Sequence, residues 1–376
     1  MIGGRTPEEV TRPWGEAAGS AEGRGGRRPV RYADAGVDLG AAGGLVPRLA
    51  ALGRTTHGPE VLGGIGGFAG CFRLPPGAHR EPVLVSSTDG VGTKVKVAVA
   101  TGRHRGIGHD LVNHCVNDVL TTGAEPLFFL DYFATGRLDG SVLLELVGGM
   151  ADACGAAGCA LLGGETAEMP GVYGIGDYDL AGFLVGVCER DQLLGPERVL
   201  EGDSLLGLPS SGLHTNGYSL VRHLLAEREL GYDAVVAGLD RPIGEVLLEP
   251  HRSYLEAVRA LRRLGEVHAL AHVTGGGVPE NLARVIPEGL CARVDTAAVA
   301  VPPVFAAIAA LGPVAEGELW TTFNMGVGMV CVVPAATAEA ALEGGRDLAG
   351  LSVQPLGRVV AASGPDRVRL DHGRPR

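Results

Sequence analysis

The segment Ser86-Ser87-Thr88-Asp89-Gly90-Val91-Gly92-Thr93-Lys94 directly follows the apolar run Pro82 to Val85. An acid, two spaced glycines, a hydroxyl and a lysine within one turn offer a metal ligand, close backbone approach and a counter-charge for phosphate. That combination suits a magnesium nucleotide, with Asp89 on the metal and Gly92, Thr93 and Lys94 toward ATP. No Gly-x-x-x-x-Gly-Lys-Ser/Thr stretch is present, so this is not a Walker loop.

Downstream, a helix over 109–122 gathers Asp110, Asn113, His114, Asn117, Asp118 and Thr121 on one face, with Leu111, Val112, Cys115, Val116, Val119 and Leu120 on the other. Such a face is either solvated or a working surface. Asp118 precedes Gly123-Ala124-Glu125-Pro126 and the strand that follows, an edge where its carboxylate can share Asp89's metal. Glu165 and Glu168, in the Gly163–Gly171 stretch, could serve a second metal, a base or a loop in water.

The second half carries two glycine-bearing loops that feed helices. Ser210-Ser211-Gly212-Leu213-His214-Thr215-Asn216-Gly217 offers hydroxyls and amides for an anion, with Asn216 as the expected N-cap. His272-Val273-Thr274-Gly275-Gly276-Gly277 lets backbone N–H groups crowd a phosphate. The histidines at 214 and 272 titrate near neutral pH, and each is either structural or a proton carrier. Gly64-Ile65-Gly66-Gly67-Phe68-Ala69 fits the dinucleotide fingerprint by letter, but lacks the preceding strand and following helix, so a hinge or substrate-covering loop is the better reading.

These residues need elements to hold them. Strands are expected over 83–87, 127–134, 178–188, 205–208, 267–272 and 326–333, and helices over 109–122, 141–157, 216–229, 252–264 and 279–286. The alternation is that of a mixed α/β (α+β) protein. With 376 residues, 45% of them apolar and 61 glycines, two domains fit, divided at the turn-rich Gly195-Pro196 joint. The expectation is a tail over 1–29, an N-terminal domain over 30–195, a C-terminal domain over 196–362 and a tail over 363–376.

The formal charge of -11 disfavours nucleic acid, and 5% aromatics leave few stacking platforms. Seven scattered cysteines without a Cys-x-x-Cys pair fit reduced thiols in a cytoplasmic protein. The uncharged stretch 297–315 contains three prolines and reads as core, not membrane span. The N-terminus lacks the apolar stretch of a secretory signal.

Taken in order, Asp34-Ala35-Gly36-Val37-Asp38, the 87–94 turn, VNDVLTTGAEPLFFLDY at 116–132, GGETAEMPG at 163–171, SSGLHTNGYSLVR at 210–222, HVTGGGVPENLARVIP at 272–287 and TFNMGVGM at 322–329 resemble the phosphoribosylformylglycinamidine cyclo-ligase family, over about 31–360. The resemblance implies a two-domain homodimer whose N-terminal sheets pair and whose C-terminal domains flank them. It implies that ATP and Mg²⁺ drive conversion of formylglycinamidine ribonucleotide to aminoimidazole ribonucleotide. Asp89 and Asp118 would then be metal–ATP ligands, with Glu165 also at ATP and Lys94 at a phosphate. His214 and His272 would carry protons or bind substrate, together with Ser210, Ser211, Asn216 and Gly275 to Gly277. Ala33 and Thr321 stand where a lysine and an arginine are usual, removing two cations from phosphate binding. The alternatives are a related ATP-dependent enzyme with another acceptor, or a non-catalytic nucleotide-binding paralogue.

Overall fold

The computed structural model describes residues 30–37, 39–343 and 347–371. The proposed tail over 1–29 and the motif residue Asp38 lie outside them.

The first part of the chain runs α1 (Leu39–Arg54), β1 (Val61–Leu62), β2 (Cys71–Phe72), β3 (Pro82–Gly90), α2 (Lys94–Thr101), α3 (Arg105–Leu120), β4 (Glu125–Thr135), α4 (Gly140–Ala157), β5 (Ala160–Glu168) and β6 (Tyr178–Glu189). The second runs β7 (Ser204–Pro209), α5 (Tyr218–Glu227), α6 (Ile243–Leu247), α7 (Leu255–Leu264), β8 (Ala269–His272), α8 (Gly277–Ala283), β9 (Leu290–Asp295), α9 (Pro303–Leu311), α10 (Glu316–Thr322), β10 (Val327–Val333), α11 (Ala335–Glu343), β11 (Asp347–Leu348), β12 (Leu351–Ser352), β13 (Gln354–Ala361) and β14 (Val368–Asp371).

A four-stranded sheet, β3-β6-β4-β5, forms the first layer; only the β4–β5 pair is parallel, since α4 carries the chain back across it. Asp139 caps α4 by accepting from the N–H groups of Ser141 and Val142, and Gly158 ends it in the left-handed region. Long and apolar enough to cross a membrane, α4 instead packs as a core helix, with Leu143, Leu146, Met150 and Cys154 buried. Helices α3 and α4 approach closely because both are glycine at the crossing: a Cβ on Gly108 would lie 2.1 Å from the Leu146 carbonyl. They cover one face of the sheet. The other face exposes Leu84, Tyr132 and Phe183.

The second part builds a six-stranded sheet, β14-β9-β13-β7-β10-β8, antiparallel except for β14–β9. All seven residues of β10 are buried, which requires layers on both sides. Met329, Cys331 and Val333 join a core with α7 and α11, while Val330 and Val332 join one with α5, α8, α9 and α10. Each such side chain contributes about 1.5–3 kcal/mol on burial. The core containing α7 continues into the α3–α4 core, so apolar packing crosses the domain junction.

The sheets divide between Glu189 and Ser204. Because both are mainly antiparallel, the architecture is of the α+β kind. Four expectations need correction. The segment at 160–168 is itself a strand, β9 and β13 were not anticipated, and β14 lies inside the expected C-terminal tail, held by parallel pairing to β9. Helix α5 is entered through Gly217, at φ 81°, and Asn216 is not its cap. The core reading of 297–315 corresponds to α9, where Val304, Phe305 and Ile308 are buried.

Candidate active site

The polar stripe of α3 is not a solvated face. Asp110, His114 and Asn117 are all buried, because α3 lies between the N-terminal sheet and the C-terminal domain. The stripe is the interdomain surface.

At its C-terminal end, Asp118 meets Asp89 from the end of β3, and the two carboxyls are hydrogen-bonded to each other. Burial first, then the bond to Asp118 and its charge, raise Asp89 from 3.8 to about 7. Burial acts to raise Asp118 as well, but a hydrogen bond to His272 and the charges of His272 and His114 outweigh it and hold Asp118 at about 2. The pair therefore shares one proton near neutral pH. Ser87 donates to Asp118 Oδ2 at 3.1 Å, and His114 Nε2 lies 3.3 Å from Asp89 Oδ2.

Behind the carboxylates lie four imidazoles. His272, at the end of β8, sets Nδ1 2.7 Å from Asp118 Oδ1 and Nε2 3.0 Å from His251 Nε2. His251 stacks on His214 at 4.0 Å between ring centres. Burial, reinforced by neighbouring imidazoles, keeps His214 and His251 well below the usual histidine range; burial and His272 bring His114 to about 4. His214 is held at φ 62°, a strained conformation for a non-glycine residue, and its Nδ1 has no hydrogen-bond partner. Gly328 makes room for it: a Cβ there would lie 1.8 Å from the Tyr254 hydroxyl and 2.6 Å from His214 Cε1.

Two carboxylates offer oxygen to a hard cation, and the imidazole chain can move a proton away from what the cation holds. Gly92 and Thr93 sit beside them at the junction: Gly92, at φ 57°, approaches Thr215, and the Thr93 hydroxyl is 3.0 Å from that of Ser219. Asn216 lies against Gly275, so the two glycine-bearing loops adjoin.

Other expected residues are placed differently. Lys94 is fully buried, 2.8 Å from Asp110 Oδ1 and 2.8 Å from the Glu249 carbonyl, with no surface left for a phosphate. Glu165 is on β5, three strand spacings from β3, about 14 Å. There it lines a cavity of about 840 Å³ with Asp131, Leu143, Val147 and the Gly64–Gly70 loop. That loop joins β1 to β2, not a strand to a helix, so the dinucleotide fingerprint is excluded and the covering-loop geometry remains. Glu168 accepts from the Leu138 N–H. Ser210 is buried and donates to Asn324, while Ser211 donates to the Pro250 carbonyl. Gly277 serves packing, since a Cβ there would meet the Trp320 carbonyl at 1.8 Å. Ala33 and Thr321 are exposed.

His251 was not anticipated. It lies in an irregular Pro250-His251 turn where no periodicity marks it. Asp110 holds that turn by accepting from the His251 N–H at 2.6 Å.

Fold and junction together define an AIR synthase related protein. The family's N-terminal domain model matches residues 66–188 and its C-terminal domain model matches 201–368. The chain belongs to the phosphoribosylformylglycinamidine cyclo-ligase family within that group. It is 52% identical over 343 residues to the phosphoribosylformylglycinamidine cyclo-ligase of Myxococcus xanthus, covering 90% of this chain and 99% of the relative. Against that of Thermosynechococcus vestitus it is 51% identical, covering 89% and 97%. Among solved structures, thiamine-monophosphate kinase from Stenotrophomonas maltophilia superposes with a TM-score of 0.65 at 20% identity, covering 87% of this chain and 95% of that one. The hydrogenase maturation protein HypE in complex with ATP gives 0.66 at 22%, covering 90% and 94%. At those identities the likeness is one of fold.

Proposed function

We propose that this chain is a cytoplasmic, homodimeric enzyme that closes the imidazole ring of aminoimidazole ribonucleotide from formylglycinamidine ribonucleotide, at the expense of ATP. The observation that carries the reading is the Asp89–Asp118 pair, two adjacent acids beside a chain of buried imidazoles. An amide oxygen is a poor leaving group, so it must first become a phosphate ester. The formamide oxygen takes the γ-phosphoryl group and ADP leaves; the amidine nitrogen then attacks the formamide carbon, the C–O bond breaks, and phosphate and a proton depart.

The donor set fits Mg²⁺: two adjacent carboxylates offer hard oxygen ligands side by side. Bound by Asp89 and Asp118, Mg²⁺ would neutralise charge on the transferring phosphoryl group. The chain's own residues do the rest. Asp118 orients His272, and His272 and His214 are the candidates to accept the amidine proton, a contribution of about 10²- to 10⁴-fold. Gly92 and Thr93 line the approach, and the loops of Ser211, Asn216 and Gly275 face the ribonucleotide. Asp89 and Asp131 both pair with Gly182 across the sheet and so share a face, and Asp131 also lines the cavity at Glu165. That cavity is of a size for the adenosine end. The uncovered sheet face with Leu84, Tyr132 and Phe183 is the surface for a second copy.

The test is purified protein with Mg-ATP and formylglycinamidine ribonucleotide, following ADP and the arylamine product. Equal yields of both are expected. Absence of ADP overturns the proposal; ADP without the amine assigns another acceptor.

A further inference from the structure

Beside the oxygen ligands, the junction holds a cluster with different chemistry. The Asn117 amide is fixed in orientation, because Oδ1 accepts from the Tyr254 N–H at 2.9 Å and Nδ2 donates to the Arg252 carbonyl at 2.8 Å. The same Nδ2 lies 3.2 Å from His251 Nε2, so that ring nitrogen presents a lone pair. With Nδ1 on the Asp118 carboxylate, His272 turns its Nε2 toward that nitrogen at 3.0 Å. Two ring nitrogens so placed repel unless a proton or a cation lies between them. His214 stacks alongside, 1% exposed, with Nδ1 unpartnered, and the three histidines each offer a nitrogen within 4.8 Å of the others.

We propose that His214, His251 and His272 form a site for a divalent transition-metal ion of the zinc type, separate from the oxygen site of Asp89 and Asp118. Zinc–nitrogen bonds of about 2.0–2.1 Å in tetrahedral geometry set neighbouring nitrogens about 3.3–3.4 Å apart. The His251–His272 separation of 3.0 Å is a few tenths of an ångström short of that, within small side-chain adjustments. Neutral imidazole selects zinc, cobalt or nickel, whereas Mg²⁺ takes oxygen. The contact from His272 to Asp118 is the carboxylate–histidine arrangement that orients a metal ligand and raises its basicity. Three histidines leave the fourth position open. Coordination through His214 Nδ1 moves the ring proton to Nε2, which gives up the 3.2 Å bond it accepts from the Ser211 N–H. Occupancy immobilises imidazoles that the reaction proposed above needs for proton transfer, so the ion inhibits; that last step rests on the proposed function, while binding does not.

Co²⁺ is the probe, titrated into chelator-treated full-length protein in excess Mg²⁺, with visible absorption and metal content after gel filtration as readouts. One Co²⁺ per chain with the intense bands of four-coordinate cobalt is expected, lost in His251→Ala and in His272→Gln and kept in Asp89→Asn. Asp118→Asn weakens Co²⁺ binding about 10- to 100-fold, as removal of a ligand's orienting partner does. Far-UV circular dichroism establishes that at least one of the two histidine variants is folded. Sub-stoichiometric binding, displacement by Mg²⁺, or bands that survive in a folded His251→Ala or His272→Gln protein overturns the site. None of these readouts uses turnover, so a wild-type protein that fails the cyclisation assay but binds Co²⁺ sinks only the catalytic reading.

Discussion

Helix α3 carries two buried or half-buried acids, Asp110 and Asp118, eight residues and about 12 Å apart along the same stripe. Asp110 is already neutralised: Lys94 and the His251 N–H both donate to its Oδ1. Burial pushes Asp110 up and Lys94 down, and the charge of each opposes that shift in the other. Asp118 has a second carboxylate beside it instead of a lysine, and the two are joined by a hydrogen bond that raises Asp89. The same residue type on the same face is a structural clamp at one end and a reactive site at the other. What differs is whether the protein supplies the counter-charge or leaves it to be brought in.

Breaking the clamp should have the largest effect. Lys94→Met leaves Asp110 buried and unpaired, at a cost of about 3–5 kcal/mol in chemical denaturation, with the KM for ATP unchanged. Lys94→Met with Asp110→Leu should regain most of that stability. A raised KM for ATP in a fully stable Lys94→Met protein would return the lysine to the phosphates.

Breaking the other end should leave the fold and remove the chemistry. Asp118→Asn is expected to reduce turnover about 10²- to 10³-fold, the scale of one preorganised electrostatic contact, with little change in melting temperature. Wild-type turnover would refute the metal assignment. As a control on a third surface, Leu84→Glu with Phe183→Glu should halve the sedimenting mass of the proposed dimer. An unchanged mass, or a wild-type mass already that of one chain, would refute this face as the interface.

The smallest effect sharpens the comparison through pH. Asp89 is raised, so metal-free protein loses stability as pH rises from 3.8 through about 7, where the carboxyl must ionise while half-buried. Asp118 is lowered, so its contribution is present above 3.8 and is lost as pH falls toward about 2. Mg²⁺ replaces the shared proton and should bind more tightly with rising pH, by up to about tenfold per unit below 7 and level above it. A flat Mg²⁺ affinity between pH 6 and 8 would separate the cation from this pair.

Much of this was legible beforehand, and the exceptions share a cause. Asp89 is announced by a strand that stops in an acid and glycines, and Asp118 by helical periodicity. Lys94 was misplaced because spacing along the chain says nothing about where a long side chain ends; its partner is two helices' worth of geometry away. His251 stands in a turn without pattern and acquires meaning only when the C-terminal domain brings it to Asn117. Strand β14 was read as tail because Val368-Arg369-Leu370-Asp371 buries little, and its place comes from backbone pairing with β9.

The amino-acid order alone determined the alternation of strands and helices, the family likeness and the inventory of acids, imidazoles and glycines. Local sterics and periodic burial act over a few residues, so they can be read in one dimension. Which of two similar aspartates is silenced and which stays open was settled by tertiary structure. Charge compensation in a low-dielectric interior depends on distance through space: Lys94 reaches Asp110, while among the described residues Asp89 is met by His114 and a second acid, and by no lysine or arginine.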